Sequence, residues 1–121
     1  MSHNYKQLKV WTVGLDLADQ VYDFVADLPK SERFNLIDQT IRSACSVPAN
    51  IAEGSAKSSD KDFKRYLEMS LGSLYELETH LLIAKRRNYG NQSLLEELLG
   101  GIAEEQRMLF GMIKSIASKI N

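Results

Sequence analysis

One long helical pattern within residues 59–90 constrains the fold of this chain more than any other feature. Its apolar or small residues recur at alternating spacings of four and three, which places them along one seam of an α-helix: Phe63, Leu67, Ser70, Leu74, Leu77, Leu81 and Ala84. Ser59 and Asp62 have the spacing of a capping box, and the basic residues 85–87 suit the negative end of the helix dipole. The pattern predicts a helix over residues 60–88, about 40 Å long.

Two shorter patterns precede it. Residues 9–28 are predicted to form a helix that Pro29 ends, and residues 32–53 a second helix with Ser31 as its N-cap. The predicted apolar stripe of the first is Trp11, Leu15, Ala18, Tyr22, Val25 and Leu28, with Val21 beside it. That of the second is Phe34, Ile37, Ile41, Ala44, Pro48 and Ile51. Because proline clashes with the carbonyl four residues back, we expect Pro48 to kink the second helix near residues 44–47.

A fourth helix is predicted over residues 93–118, where Ser93 and Glu96 have capping-box spacing. Its apolar stripe is Leu95, Leu98, Ile102, Leu109, Met112 and Ile116. Glu105 occupies one position of this stripe, so we expect part of the helix not to be deeply buried. Four amphipathic segments with short connectors predict an all-α, up-down-up-down antiparallel four-helix bundle, with a long third helix and a Pro-kinked second helix, in a single domain over residues 1–121.

Composition limits the protein class. No apolar run approaches the 18 residues of a membrane span, and the first residues are polar, so we expect no membrane association and a cytoplasmic location. The lone Cys45 has no partner for an internal disulfide and is predicted to be a small core residue. The net charge of −1 argues against a protein whose whole surface attracts nucleic acid, although it leaves room for local patches.

Several segments resemble the signature of the 23S rRNA intervening-sequence protein family of bacterial four-helix bundles. These are SVPANIAEG at residues 46–54, DF at 62–63, YL at 66–67 and GSLYELET at 72–79, with LKVW at 8–11 and FNL at 34–36 extending the match to residues 8–90. The resemblance implies a left-handed bundle that assembles as a ring-shaped homopentamer and has no enzymatic activity. Some members are encoded within insertions in ribosomal RNA genes, and a related branch, the accessory proteins of diversity-generating retroelements, binds nucleic acid and a reverse transcriptase. Those accessory proteins are strongly basic, whereas this chain is slightly acidic.

Further apolar residues widen the third helix beside its seam. An oligomer interface is predicted there, formed by Tyr66, Leu71, Gly72, Tyr75, Glu78 and Leu82. Glycine allows close backbone approach, and Glu78 would need a hydrogen-bonding or cationic partner under an interface. A long central helix contacted from two sides within one bundle explains the same width equally well.

Patterns for chemistry are missing from the sequence. The Glu-x-x-His pairs of di-iron bundles do not occur, the aspartates 16, 19, 23 and 27 follow one exposed helix face, and no phosphate-binding glycine loop is present. We therefore predict no catalytic residue, no metal site and no cofactor.

Basic residues around the start of the third helix are candidates for contact with phosphates. This predicted patch consists of Lys57, Lys61, Lys64 and Arg65, extended by Arg42 or Arg33. Because Asp60, Asp62 and Glu68 are interleaved with it, a solvated face is the favoured interpretation.

The segment around Pro48, Asn50, Glu53 and Gly54 is interpreted as structural. Asn50 and Glu53 share one helix face, and we expect them to bond the connector and the free amides at the start of the third helix rather than a ligand.

Together these patterns and the resemblance predict a non-enzymatic oligomeric scaffold associated with RNA or ribonucleoprotein. The alternative is an adaptor ring that binds another protein and no nucleic acid. Phosphate contacts weaken steeply with salt, whereas an apolar protein interface does not, so salt dependence separates the two hypotheses.

Overall fold

A computed structural model describes residues 4–120 of the chain. Within this range four α-helices form a bundle: α1 (Lys9–Val25), α2 (Asp38–Ser55), α3 (Asp60–Arg86) and α4 (Gln92–Ala117). Successive helices pack against each other antiparallel, and α4 closes the bundle against α1. The predicted all-α four-helix bundle is confirmed.

The long helix α3 matches its prediction in position and in buried face. All seven residues of the predicted seam, from Phe63 to Ala84, are buried. The Ser59 hydroxyl caps the helix by accepting the backbone N–H of Asp62 at 3.1 Å. Beyond the other end, Asn88 and Gly90 adopt left-handed backbone conformations with φ of 57° and 78°, so the chain turns toward α4 there.

The buried face of α1 differs from the predicted stripe. Its buried positions are Val10, Gly14, Leu17, Ala18, Val21, Phe24 and Val25, and Leu15 and Tyr22 are exposed. The helix carries two apolar stripes, and the one that runs through Gly14 packs into the core. Glycine gives no apolar signal, so the sequence pattern favoured the other stripe. The α-helix also ends at Val25 rather than at residue 28, although Leu28 is still buried.

The start of the second helical segment is irregular, contrary to the prediction of one helix over residues 32–53. A 3₁₀-turn (Lys30–Glu32) and a π-helical turn (Arg33–Ile37) precede α2, and Ser31 makes no capping hydrogen bond. A π-turn accommodates an additional residue and therefore shifts the register of the side chains. Phe34, predicted to be buried, is 88% exposed. Leu36 is buried instead, in line with the buried Thr40, Ser43 and Val47 of α2 at spacings of four, three and four. The α-helix then continues through Pro48 to Ser55, and the kink stays a prediction.

Two expectations for α4 are wrong. Asn91 caps the helix by accepting the backbone N–H of Leu94 at 3.0 Å, so Ser93 is not the cap. Glu105 is fully buried, which contradicts the expectation of a shallow segment. The stripe itself is otherwise in the core, with Met112 only partly covered.

No helix in the described part of the chain combines the length and apolar character needed to cross a bilayer.

Candidate functional site

The outer side of the α1/α2 pair carries a groove of about 620 Å³, which we call the α1/α2 groove. Leu15 and Tyr22 of α1 line it from one side, and Pro48 and Ala49 of α2 from the other. At one end Trp11 meets Tyr5 edge-on, with ring centroids 5.2 Å apart. The groove is therefore formed largely by apolar residues that the sequence assigned to the core.

Cys45 lies in this groove rather than in the core, where it was predicted. It is half-buried, and its Sγ lies 3.9 Å from the Tyr22 hydroxyl. The hydrogen bond between the two groups, together with their electrostatic interaction, raises the pKa of the Tyr22 hydroxyl above its ordinary value.

A second apolar surface, the α3/α4 face, lies on the opposite side of the bundle. Its exposed residues are Tyr75 and Leu82 of α3 and Phe110 of α4. The Gln106 side chain donates to the Glu78 carboxylate at 3.2 Å, which fixes the register of the two helices. Because α3 and α4 are antiparallel, Tyr75 and Phe110 both lie about one turn from that pair in the same direction. They are therefore at nearly the same level of the bundle.

The residues predicted for the oligomer interface separate into two groups. Tyr66 faces α2, packed against Gly54, and Leu71 packs against the core. Glu78 already has Gln106 as a hydrogen-bonding partner within the bundle. Tyr75, Leu82 and Gly72 are exposed. Of the six residues, these three are available to a partner.

The predicted basic patch is brought together only in part. Lys61, Lys64 and Arg65 line a cleft of about 520 Å³ beside Ala117 and Ile120. Arg42 lies 13 residues before the end of α2, about 20 Å along the helix, and does not extend this cleft.

Most cations of the patch have a local partner. Lys64 pairs with Glu68 at 3.0 Å and Arg65 with Asp62 at 3.9 Å, and the side chains of Lys57 and Arg65 lie over the Tyr66 ring at 5.0 and 4.9 Å. These contacts fit the favoured interpretation of a solvated face.

The segment from Pro48 to Gly54 makes contacts that differ from the prediction. Asn50 donates to the carbonyl of Ser46 at 2.9 Å, within its own helix, and not to the connector or to α3. Glu53 is exposed and makes no side-chain hydrogen bond among the described residues. Gly54 has a packing role, because a Cβ there would lie 2.6 Å from the Cβ of Tyr66. Hydrogen bonds between α2 and α3 are instead made by Ser46, which donates to the Ser73 hydroxyl at 2.6 Å, and by Ser70, which donates to the carbonyl of Val47 at 2.8 Å.

Sequence reasoning missed a polar corner where the π-turn meets the end of α3. Tyr89 donates to Glu32 at 3.2 Å, Glu32 accepts from Asn35 at 3.3 Å, and Asn35 accepts from Gln39 at 3.3 Å. These four residues surround a cavity of about 260 Å³ together with Leu36, His80, Ile83 and Arg87. No local signal in the sequence marks this corner, because Phe34, Ile37 and Ile41 keep regular helical spacing.

Glu105 is the one buried side chain of the described residues whose oxygens have no hydrogen-bonding partner. Its carboxylate lies in the core between α1 and α2, where a Cβ on Gly14 would be 3.0 Å from Oε2. Burial, with a smaller contribution from the neighbouring charge of Glu104, raises the pKa of Glu105 from 4.5 to about 8. The carboxyl group is therefore mostly protonated at neutral pH.

Within residues 4–120 no group of three or more His, Cys, Asp or Glu side chains is arranged to hold a metal ion.

Comparison with known proteins adds two findings. The model of the 23S rRNA-intervening sequence protein family matches residues 6–111. A crystal structure at 1.70 Å resolution, of a protein with unknown function from the S23 ribosomal protein family of Bacteroides thetaiotaomicron VPI-5482, is similar to this chain with a TM-score of 0.78. The two sequences are 27% identical, and the match covers 87% of this chain and 98% of that one. No curated protein matches the sequence.

Proposed function

This chain belongs to the 23S rRNA-intervening sequence protein family, and from that premise we propose that it is a non-enzymatic scaffold that assembles with copies of itself and associates with RNA or ribonucleoprotein. The observation that carries the proposal is the pair of apolar surfaces on opposite sides of one small bundle. Exposed apolar patches of this kind mark interaction sites on otherwise polar proteins.

The placement of the two surfaces supports self-assembly. The α1/α2 groove is concave, and the α3/α4 face presents the exposed rings of Tyr75 and Phe110. Two different surfaces of one chain that fit each other make a heterologous contact, and such contacts close into rings when the rotation between copies allows it. A ring of five copies is the expectation from the family resemblance.

The assembly is tested with one charged substitution on each surface. Tyr22→Asp in the groove and Phe110→Asp on the opposite face change residues that are 52% and 63% exposed, so the bundle should still fold, as circular dichroism would verify. Light scattering after gel filtration should show that each variant alone is monomeric. A mixture of the two should form a dimer, because each variant retains the surface that the other has lost.

Other results have distinct meanings. If Tyr22→Asp abolishes assembly while Phe110→Asp does not, the groove pairs with itself and the heterologous arrangement is wrong. A wild-type protein that is monomeric at all concentrations would refute self-assembly.

Association with RNA is supported by the family and by the basic residues at both ends of α3. Binding of a labelled, structured ribosomal RNA fragment should be strong at low salt and weaken steeply near physiological salt, because phosphate contacts release counterions. In the variant Lys61→Glu/Lys64→Glu/Arg65→Glu, loss of binding would locate the RNA surface at the predicted patch. No binding by the wild type at low salt would overturn direct RNA recognition.

A protein adaptor is the second candidate, and the α1/α2 groove favours it. A groove lined by Leu15, Tyr22 and Pro48 is suited to an apolar helix of another protein. Three results together would support this candidate: the wild type binds no RNA, it binds a protein partner in a salt-tolerant manner, and Tyr22→Asp abolishes that binding.

A further inference from the structure

We infer that RNA binds across one end of the bundle, where its phosphate groups contact lysines from three distant segments of the chain. This inference rests on the proposed association with RNA and names the surface that binds it. The surface differs from the patch predicted from the sequence, because it includes lysines that lie near both ends of the chain.

The fold gathers the three segments at this end, which we call the basic end: residues 4–9, 53–68 and 114–120. Because successive helices are antiparallel, the starts of α1 and α3 lie at the same end of the bundle as the ends of α2 and α4. Tyr5 lines the α1/α2 groove together with Ala52, and Lys61 lines a cleft together with Ile120. These shared sites bring all three segments to one end.

Charge is distributed unevenly along the bundle. The basic end holds eight of the 15 Lys and Arg residues of the chain but only four of its 16 Asp and Glu residues, so its net charge is +4. The opposite end, residues 26–38 and 85–96, has a net charge of +1, and the helical segments between the two ends have −6. Phosphates are therefore attracted to the basic end and repelled by the acidic sides. The net charge of −1 for the whole chain conceals this separation.

Most cations of the basic end are free to contact phosphates. Five lysines are exposed and form no ion pair with any described residue: Lys6, Lys9, Lys61, Lys114 and Lys119. Within the predicted patch, by contrast, Lys64 and Arg65 are paired with acids. A phosphate that binds an unpaired lysine does not have to displace a carboxylate.

Helix stability does not account for two of the five lysines. Lys9 is the first residue of α1 and Lys61 the second residue of α3, so both lie at the positive end of a helix dipole, where a cation is unfavourable. Lys114 and Lys119 lie at the end of α4, where the dipole favours a cation. A locally unfavourable choice of residue is expected where function requires it.

The polar character of the basic end favours RNA over a membrane as the partner. Helices that lie on a bilayer insert apolar side chains beside their cations. The large apolar side chains that the described residues expose all lie outside the three segments of the basic end. Contacts with phosphates alone are sufficient for binding to a nucleic acid backbone.

The test measures fluorescence anisotropy of the labelled, structured ribosomal RNA fragment over a range of salt concentrations. Lys9→Gln/Lys119→Gln changes two exposed lysines outside the predicted patch, and circular dichroism should show a folded protein. At about 50 mM salt this variant should bind the RNA roughly tenfold more weakly or worse, and the slope of log affinity against log salt concentration should fall by about 2. Lys30→Gln/Arg86→Gln is the matched control, because it removes two exposed, unpaired cations from the opposite end and gives the protein the same net charge. The control should retain the wild-type affinity and slope.

The outcomes separate this inference from the proposed function. If Lys9→Gln/Lys119→Gln binds RNA as tightly as the wild type, or if the control is weakened equally, the basic end is not the RNA surface and the inference is wrong. Tighter binding of the wild type to anionic lipid vesicles than to RNA, again lost in Lys9→Gln/Lys119→Gln, would overturn it in favour of a membrane. In the first two cases salt-sensitive binding by the wild type leaves the proposed association with RNA in place. A wild-type protein that binds no RNA at low salt refutes both.

Discussion

Replacing Glu105 by glutamine should remove a large part of the pH dependence of this protein's stability. The buried carboxyl group has a pKa of about 8 in the folded chain against 4.5 as its ordinary value. Between these values the folded state holds a proton that the unfolded state has released, so the free energy of unfolding falls as pH rises. Each pKa unit corresponds to about 1.4 kcal/mol, and the wild type should lose about 3 kcal/mol from this group between pH 5 and pH 8. Glu105→Gln has no such group to titrate.

The assay is urea unfolding followed by circular dichroism at pH 5 and pH 8, at one fixed protein concentration because self-association changes apparent stability. Glu104→Gln is the matched control, since it removes an exposed carboxylate from the adjacent position of the same helix. It should keep most of the wild-type pH dependence. Glu105→Gln should be the more stable protein at pH 8 and should lose its advantage at pH 5. If the free energy of unfolding changes equally between pH 5 and pH 8 in Glu105→Gln and in the wild type, the pH dependence does not come from the buried carboxyl group.

Three further substitutions, two of them with a matched control, test the cap of α3 and its contacts with α2 in thermal or urea unfolding. Ser59→Ala removes the cap of α3 and should cost about 1 kcal/mol, whereas Ser58→Ala should change stability by less than about 0.5 kcal/mol; equal effects would contradict the capping role. Gly54→Ala should destabilise the protein by about 1–3 kcal/mol, because the new Cβ would meet the Cβ of Tyr66 at 2.6 Å. The control Gly100→Ala has open space around the new Cβ and should stabilise α4 by up to about 1 kcal/mol. Ser70→Ala removes a buried 2.8 Å hydrogen bond and should cost about 1 kcal/mol, and an unchanged stability would show that the bond contributes nothing net.

Helix α3 could be predicted from the sequence in nearly every respect. Its seam, its Ser59 cap and its end near residue 86 follow from local rules, since the spacing of apolar residues, a capping hydroxyl and a left-handed Asn88 act over a few positions. The surrounding bundle follows from the same reasoning, because short connectors force neighbouring helices to be antiparallel.

The π-turn and the buried carboxyl could not be predicted in the same way. No local signal marks the π-turn. The core also takes the stripe through Leu36, Thr40 and Ser43 rather than the more apolar one through Phe34, Ile37 and Ile41, and hydroxyl side chains give no apolar signal. Glu105 and Gly14 face each other across two helices, and a Cβ at position 14 would lie 3.0 Å from Oε2, so one of the two groups would have to shift. Neither residue identifies the other in a single sequence.

Two apolar residues of α1 that the sequence placed wrongly support the proposed assembly surface. Leu15 and Tyr22 were assigned to the core and instead line the α1/α2 groove. In a four-helix bundle each helix buries one apolar stripe against its neighbours. A helix with two apolar stripes therefore carries more apolar surface than its own fold covers. The second stripe of α1 is therefore better explained by an intermolecular contact than by the fold. Disagreement between local pattern and global structure is expected at functional sites, and here it occurs at the groove to which we assign assembly.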